Sequence, residues 1–87
     1  MKTFLKKFFA NNPVNINELV PFISTFCERK GKSPTSQQLI AIVQLIQMGQ
    51  INLESVCLEA AQMENIQVYK IFNKDEILLC YKLIENE

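Results

Sequence analysis

Ile66-Gln67-Val68-Tyr69-Lys70-Ile71-Phe72-Asn73-Lys74-Asp75-Glu76-Ile77-Leu78-Leu79-Cys80-Tyr81-Lys82-Leu83-Ile84 decides the fold of this 87-residue chain. Both flanks of the segment are rich in β-branched and aromatic residues, which suit a pleated, half-buried surface. With Asn73–Glu76 as a four-residue hairpin loop, Phe72 pairs with Ile77. One face then collects Ile66, Val68, Phe72, Ile77, Leu79, Tyr81 and Leu83 around a single polar Lys70, and the other sets Gln67 opposite Lys82. The same letters also admit a helix, because Asn73 followed by Glu76 has capping-box spacing and the run continues to Ile84. The hairpin sorts polar from apolar positions more cleanly. The expected fold is therefore mainly α, a compact bundle of about four helices with a C-terminal β-hairpin, and an all-α fold is the alternative.

Upstream, helical periodicity recurs. Within residues 1–10, Met1, Phe4, Leu5, Phe8 and Phe9 share an arc of about 140°, with Lys2, Thr3, Lys6, Lys7 and Ala10 opposite. Asn11-Asn12-Pro13 ends this amphipathic helix, since proline disfavours helical geometry in the residue before it. A helical core is expected over 17–64. Its first helix starts with Asn17 as N-cap, holds Pro21 in its opening turn and stops at Gly31. Ser33-Pro34 opens the next, a central core helix or one shared with a partner, which ends before Gly49. Asn52 caps the last, through about Met63, where Ala60-Ala61 permits close packing. Residues 66–84 complete a single domain over 1–87. Two glycines, and prolines confined to the first 34 residues, argue against a many-stranded sandwich or barrel.

Charge is sorted along the chain. Residues 1–32 hold six basic and two acidic side chains, residues 33–87 hold three and seven, and nothing ionisable lies between Lys32 and Glu54. A field divided this way steers encounters without setting the fold. It allows the basic end of one copy to approach the acidic end of another.

No catalytic pattern emerges. The absence of histidine removes Ser-His and Cys-His nucleophilic chemistry and the common His-containing zinc sites. No glycine-rich phosphate loop is present, and Asp75-Glu76, the only adjacent carboxylate pair, reads as solvated charge in a turn. Cys27, Cys57 and Cys80 are single and far apart, so they read as reduced, mostly buried thiols of an intracellular protein, with no metal and no cofactor. Glutamines interrupt the apolar stretch before Gly49 on every turn, against a membrane span.

Leu45-Ile46-Gln47-Met48-Gly49-Gln50-Ile51-Asn52-Leu53-Glu54 resembles the junction between the first two helices of LuxR-type helix-turn-helix regulators, over about ten of the 87 residues. Helices followed by a hairpin is also the element order of winged-helix domains. The chemistry of the region points elsewhere: the 53–64 helix offers Glu54, Glu59 and Glu64 and no base to meet DNA. Only a reading helix over 65–74, with Gln67, Tyr69, Lys70, Asn73 and Lys74, would suit a groove, and it excludes the hairpin.

The association-prone residues are therefore the first helix and the basic clusters. Phe4, Leu5, Phe8 and Phe9 form its apolar face, and Lys2, Lys6, Lys7, Arg29, Lys30 and Lys32 the charged patches. That face can dock on the chain's own core or a twin subunit, enter a groove of a partner protein, or lie on an anionic membrane, the last being disfavoured. The expected function is that of a small, cytoplasmic, non-enzymatic regulatory or adaptor protein acting through protein–protein contacts, with a homodimer as one form. The alternative is a helix-turn-helix DNA-binding transcriptional regulator.

Overall fold

Capping decides where each helix begins. The computed structural model describes residues 1–86 as α1 (Lys2–Phe9), α2 (Ile16–Arg29), α3 (Ser36–Gln47), α4 (Leu53–Met63), β1 (Ile66–Asn73) and β2 (Leu78–Glu85). The α2 cap is Asn15, not Asn17: its Oδ1 accepts from the Glu18 N–H at 3.0 Å. Pro21 consequently sits past the first turn, and the carbonyl it leaves without a helical partner belongs to exposed Asn17, where water can serve it. α3 starts at a Thr35 cap rather than at Ser33-Pro34. Thr35 Oγ1 accepts from the Gln38 N–H, and the Gln38 side chain accepts from the Thr35 N–H, closing a capping box. Asn52 caps α4 as expected. Gly31 and Gly49, with φ of 75° and 78°, follow α2 and α3 in the left-handed geometry that glycine adopts without strain.

The C-terminal segment is an antiparallel hairpin, with Phe72 opposite Leu79 and Asn73 opposite Leu78. The register expected from sequence, Phe72 with Ile77, is thus displaced by two residues. Asn73 is the reason: its Oδ1 accepts from the N–H groups of Asp75 and Glu76, so it anchors a turn from the last position of β1. The loop becomes Lys74–Ile77, and Ile77 takes a φ of 53°. A two-residue displacement preserves side-chain parity, so the expected face survives except that Ile77 leaves it for the loop. On the other face, Gln67 stands opposite Ile84, and Lys82 opposite Tyr69.

One buried cluster joins the elements. Leu5, Phe9, Ile23, Val43 and Cys57 are fully enclosed, with Ala60 and Ala61 letting α4 pack closely on α1 and β1. α1 lies across α2, α4 and β2; its Phe4 ring stacks on Phe22 with centroids 4.1 Å apart, and Phe9 meets Tyr81 at 4.9 Å. Burial of each large apolar side chain contributes about 1.5–3 kcal/mol, so α1 is a working part of the core. α3 is not the central helix expected from its periodicity: it packs chiefly on α2 and buries Val43 and Ile46 alone. No helix among the described residues is long and apolar enough to cross a membrane.

Candidate functional site

Five of the six basic residues singled out from sequence meet carboxylates of their own chain. Lys2 and Lys6 reach Glu85 at 4.0 and 2.9 Å, and Lys7 reaches Glu18 at 2.6 Å. Arg29 pairs with Glu64 and Lys30 with Glu59, both at 2.9 Å. Folding therefore sets much of the basic end on the acidic end within one copy. One cluster is tied to Glu85 at the foot of the hairpin and the other to Glu59 and Glu64 at the last turns of α4. Lys32 remains exposed just past α2.

The apolar face of α1 is likewise occupied. Phe4, Leu5 and Phe9 are buried, and Phe8 is half-buried with its ring edge-on to Phe9 at 5.2 Å. Phe4, Leu5 and Phe9, expected as partner anchors, pack here into the chain's own core. A partner or a membrane would meet only Phe8 and the lysine side.

Most of what the fold leaves uncovered lies at the other end, although Ile16, Ile40, Met48 and Leu58 are exposed singly along the helical part. Tyr69, Ile71, Phe72, Ile77, Leu78, Leu79 and Ile84 are 40–80% exposed. They occupy both faces of the hairpin, together with its tip. The inner face rests on α1 and α4 only near the foot, through Ile66, Val68, Tyr81 and Leu83. Beyond that, the ribbon runs clear of the helices. Scattered exposed apolar residues are normal on any protein, but seven on one hairpin form a patch of the kind that marks an interaction site. The sequence carried this signal in β2, whose near-continuous apolar run is typical of a strand buried on both faces.

A polar island sits where the ribbon meets the helices. The Tyr81 hydroxyl donates to the Glu54 carboxylate, and Lys70 Nζ lies 3.5 Å from the same carboxylate and 5.9 Å from the Tyr81 ring centroid. Accepting the Tyr81 hydrogen bond is the main reason the Glu54 carboxyl is held below the ordinary carboxylate range, with Lys70 adding to it. Loss of hydration, then Glu54, pushes the Tyr81 phenol up to about 12. An open groove of about 440 Å³ beside this island runs between Phe8, Asn11, Val14 and Leu79. The three groups act as a strut holding β1 and β2 to α4. Among the described residues no three His, Cys, Asp or Glu side chains gather as metal ligands would.

The Leu45–Glu54 stretch does form a helix, a turn and a helix, with the turn at Met48–Asn52. Residues 66–73, which a DNA reader of that kind would need as its third helix, are strand β1. No family model matches the chain, and comparison with curated proteins and with solved structures gives no match either.

Proposed function

We propose that this chain is a small non-enzymatic regulatory or adaptor protein, cytoplasmic in its setting, that works by holding a protein partner on its C-terminal ribbon. The observation that supports this most is the exposure of Tyr69, Ile71, Phe72, Leu78 and Leu79 on a two-stranded sheet whose distal half nothing covers. A ribbon of two strands is marginal in water, and apolar side chains left wet on both its faces give it reason to be covered. The contact surface expected on α1 thus moves to β1 and β2. α1 instead holds the foot of the ribbon in place.

A photo-crosslinking residue placed at Ile71 or Leu78, with one at exposed Gln44 of α3 as comparison, tests this in cells that make the protein. Protein adducts confined to the two ribbon positions are expected. Adducts to nucleic acid, or none at the ribbon, would sink the proposal.

DNA binding of the winged-helix kind is the second reading. The order of elements, helices and then a ribbon, favours it, and Lys70, Lys74 and Lys82 lie on that ribbon or its loop. Asp75 and Glu76 at the tip, and Glu54 and Glu59 along α4, weigh against it. Polarisation titration on mixed duplex DNA separates the two: no binding at low salt is expected, whereas affinity falling steeply with salt would reverse their order.

A further inference from the structure

The ribbon has two edges, and they are not equivalent. Asn86 donates its N–H to the Asn65 carbonyl at 2.9 Å, which fixes that opposed pair as a hydrogen-bonded one. Alternation along the ladder then turns the backbone groups of Leu78, Cys80, Lys82 and Ile84 toward β1. Those of Leu79, Tyr81, Leu83 and Glu85 point outward, and among the described residues no backbone group pairs with them. On the other side, the outward groups belong to Ile66, Val68, Lys70 and Phe72, beside a groove shared with Leu58 and Gln62 of α4.

We infer that the β2 edge pairs with the β2 edge of a second copy, antiparallel about a two-fold axis through Tyr81, giving a four-stranded sheet in the order β1-β2-β2-β1. This rests on the reading of the ribbon as a protein-contact surface and names its occupant. A two-fold perpendicular to the sheet keeps odd residues on one face and even residues on the other, so only registers joining like parity are open. Centred on Tyr81, Leu79 lies opposite Leu83 of the other copy, Leu78 opposite Ile84, and Cys80 opposite Lys82. Each exposed apolar side chain within β2 gains an apolar partner and no like charges face each other. Centring on Lys82 instead opposes two lysines.

The β1 edge lacks this self-complementarity. Centring it on Tyr69 sets Val68 against Lys70 and Gln67 against Ile71, and centring it on Lys70 opposes like charges. The charge of the ribbon also admits a copy of itself: Lys70, Lys74 and Lys82 balance Asp75, Glu76 and Glu85. Two copies therefore meet without net repulsion.

Size sets the strength. Ile77, Leu78, Leu79 and Ile84 are 40–80% exposed. At about 200 Å² for a fully exposed residue of this size, they offer roughly 400 Å² per copy. With their backbone edges, two copies bury at most about 1,000 Å², the lower limit for a specific interface. The dimer is accordingly a weak one, with a Kd on the order of micromolar.

Sedimentation equilibrium from about 10 µM to about 1 mM protein reads the mass. A monomer–dimer equilibrium is expected. Leu79→Pro removes an outward N–H without breaking a bond to β1, and should weaken the dimer by at least about tenfold with an unchanged circular dichroism spectrum. Phe72→Ser, on the β1 side, should leave it unchanged. In a Cys27→Ser background, Lys82→Cys places a thiol opposite Cys80 of the other copy, and oxidation should give a covalent dimer that a further Cys80→Ser abolishes. A monomer throughout the range, a dimer indifferent to Leu79→Pro, or no cross-link through Cys80 would overturn the inference. Crosslinking of the ribbon to a different protein, with the chain monomeric, would end the self-pairing and leave the adaptor reading standing.

Discussion

Tyr81 and Glu54 share one hydrogen bond, and it responds to pH from both sides. Glu54 has a lowered folded pKa, so its contribution is present above the ordinary carboxylate value and fades as pH falls through the folded one. Tyr81 is raised from 10.0 to about 12, so its contribution is whole below its ordinary value and is lost as pH rises toward the folded one. The carboxylate is partly exposed, which screens the pair, so Tyr81→Phe should cost about 1 kcal/mol at neutral pH rather than the full value of a buried charged bond. Urea unfolding at about pH 3, 7 and 11 should show that difference shrinking at both extremes. A difference constant across pH would mean that the phenol contributes packing alone. Cys57 follows a different logic: burial first, then Glu54, pushes its thiol up to about 12. Folded protein should therefore release only the half-buried Cys27 and Cys80 to a thiol reagent at neutral pH, with Cys57 appearing on denaturation.

Elements were legible in type more than in boundary. Four helices follow from their 3.6-residue repeats, whereas residues 66–84 fit a helix as well as a hairpin, and the hairpin is preferred only because a two-residue repeat sorts its faces more cleanly. Boundaries depend on which of several polar residues caps. The Asn15-x-x-Glu18 and Thr35-x-x-Gln38 pairs carried the signal for α2 and α3, yet Pro21 and Pro34 drew the expected starts toward themselves. Periodicity also records that a face is apolar without saying what covers it. α1 was therefore a candidate for a partner when it closes its own core, and the exposure of the ribbon could not be seen. The loop shows the same limit. Asn73 serves a turn as readily as a helix, and taking it moved Ile77 to a φ of 53° while leaving it 80% exposed. A β-branched residue there is strained, and it makes no buried contact to lose. Ile77→Gly should raise stability by about 1 kcal/mol, or roughly 4–8 °C in Tm, with thermal melting as the readout. A lower Tm would place Ile77 among the residues that hold the hairpin.

At the scale of the whole molecule, sorted charge and zero net charge have a common structural consequence. Lys2 and Lys6 on Glu85, Arg29 on Glu64 and Lys30 on Glu59 tie the first third of the chain to the last third, closing within one copy the contacts that sequence allowed between two. Most of these groups are exposed, and exposed pairs contribute little each, so the ion pairs select an arrangement that apolar burial stabilises. Two results should follow. Removing residues 1–10 should unfold the protein, because Phe4, Leu5 and Phe9 leave the core with them; loss of cooperative thermal melting would show it. Raising salt from about 50 mM to about 500 mM, by contrast, should shift Tm by no more than a few degrees and leave self-association intact or slightly stronger, since an apolar edge is not screened. Association that falls steeply with salt would instead trace the contact between copies to the lysines and carboxylates, and the internal pairing of Glu85, Glu64 and Glu59 would then be only one of two arrangements these charges adopt.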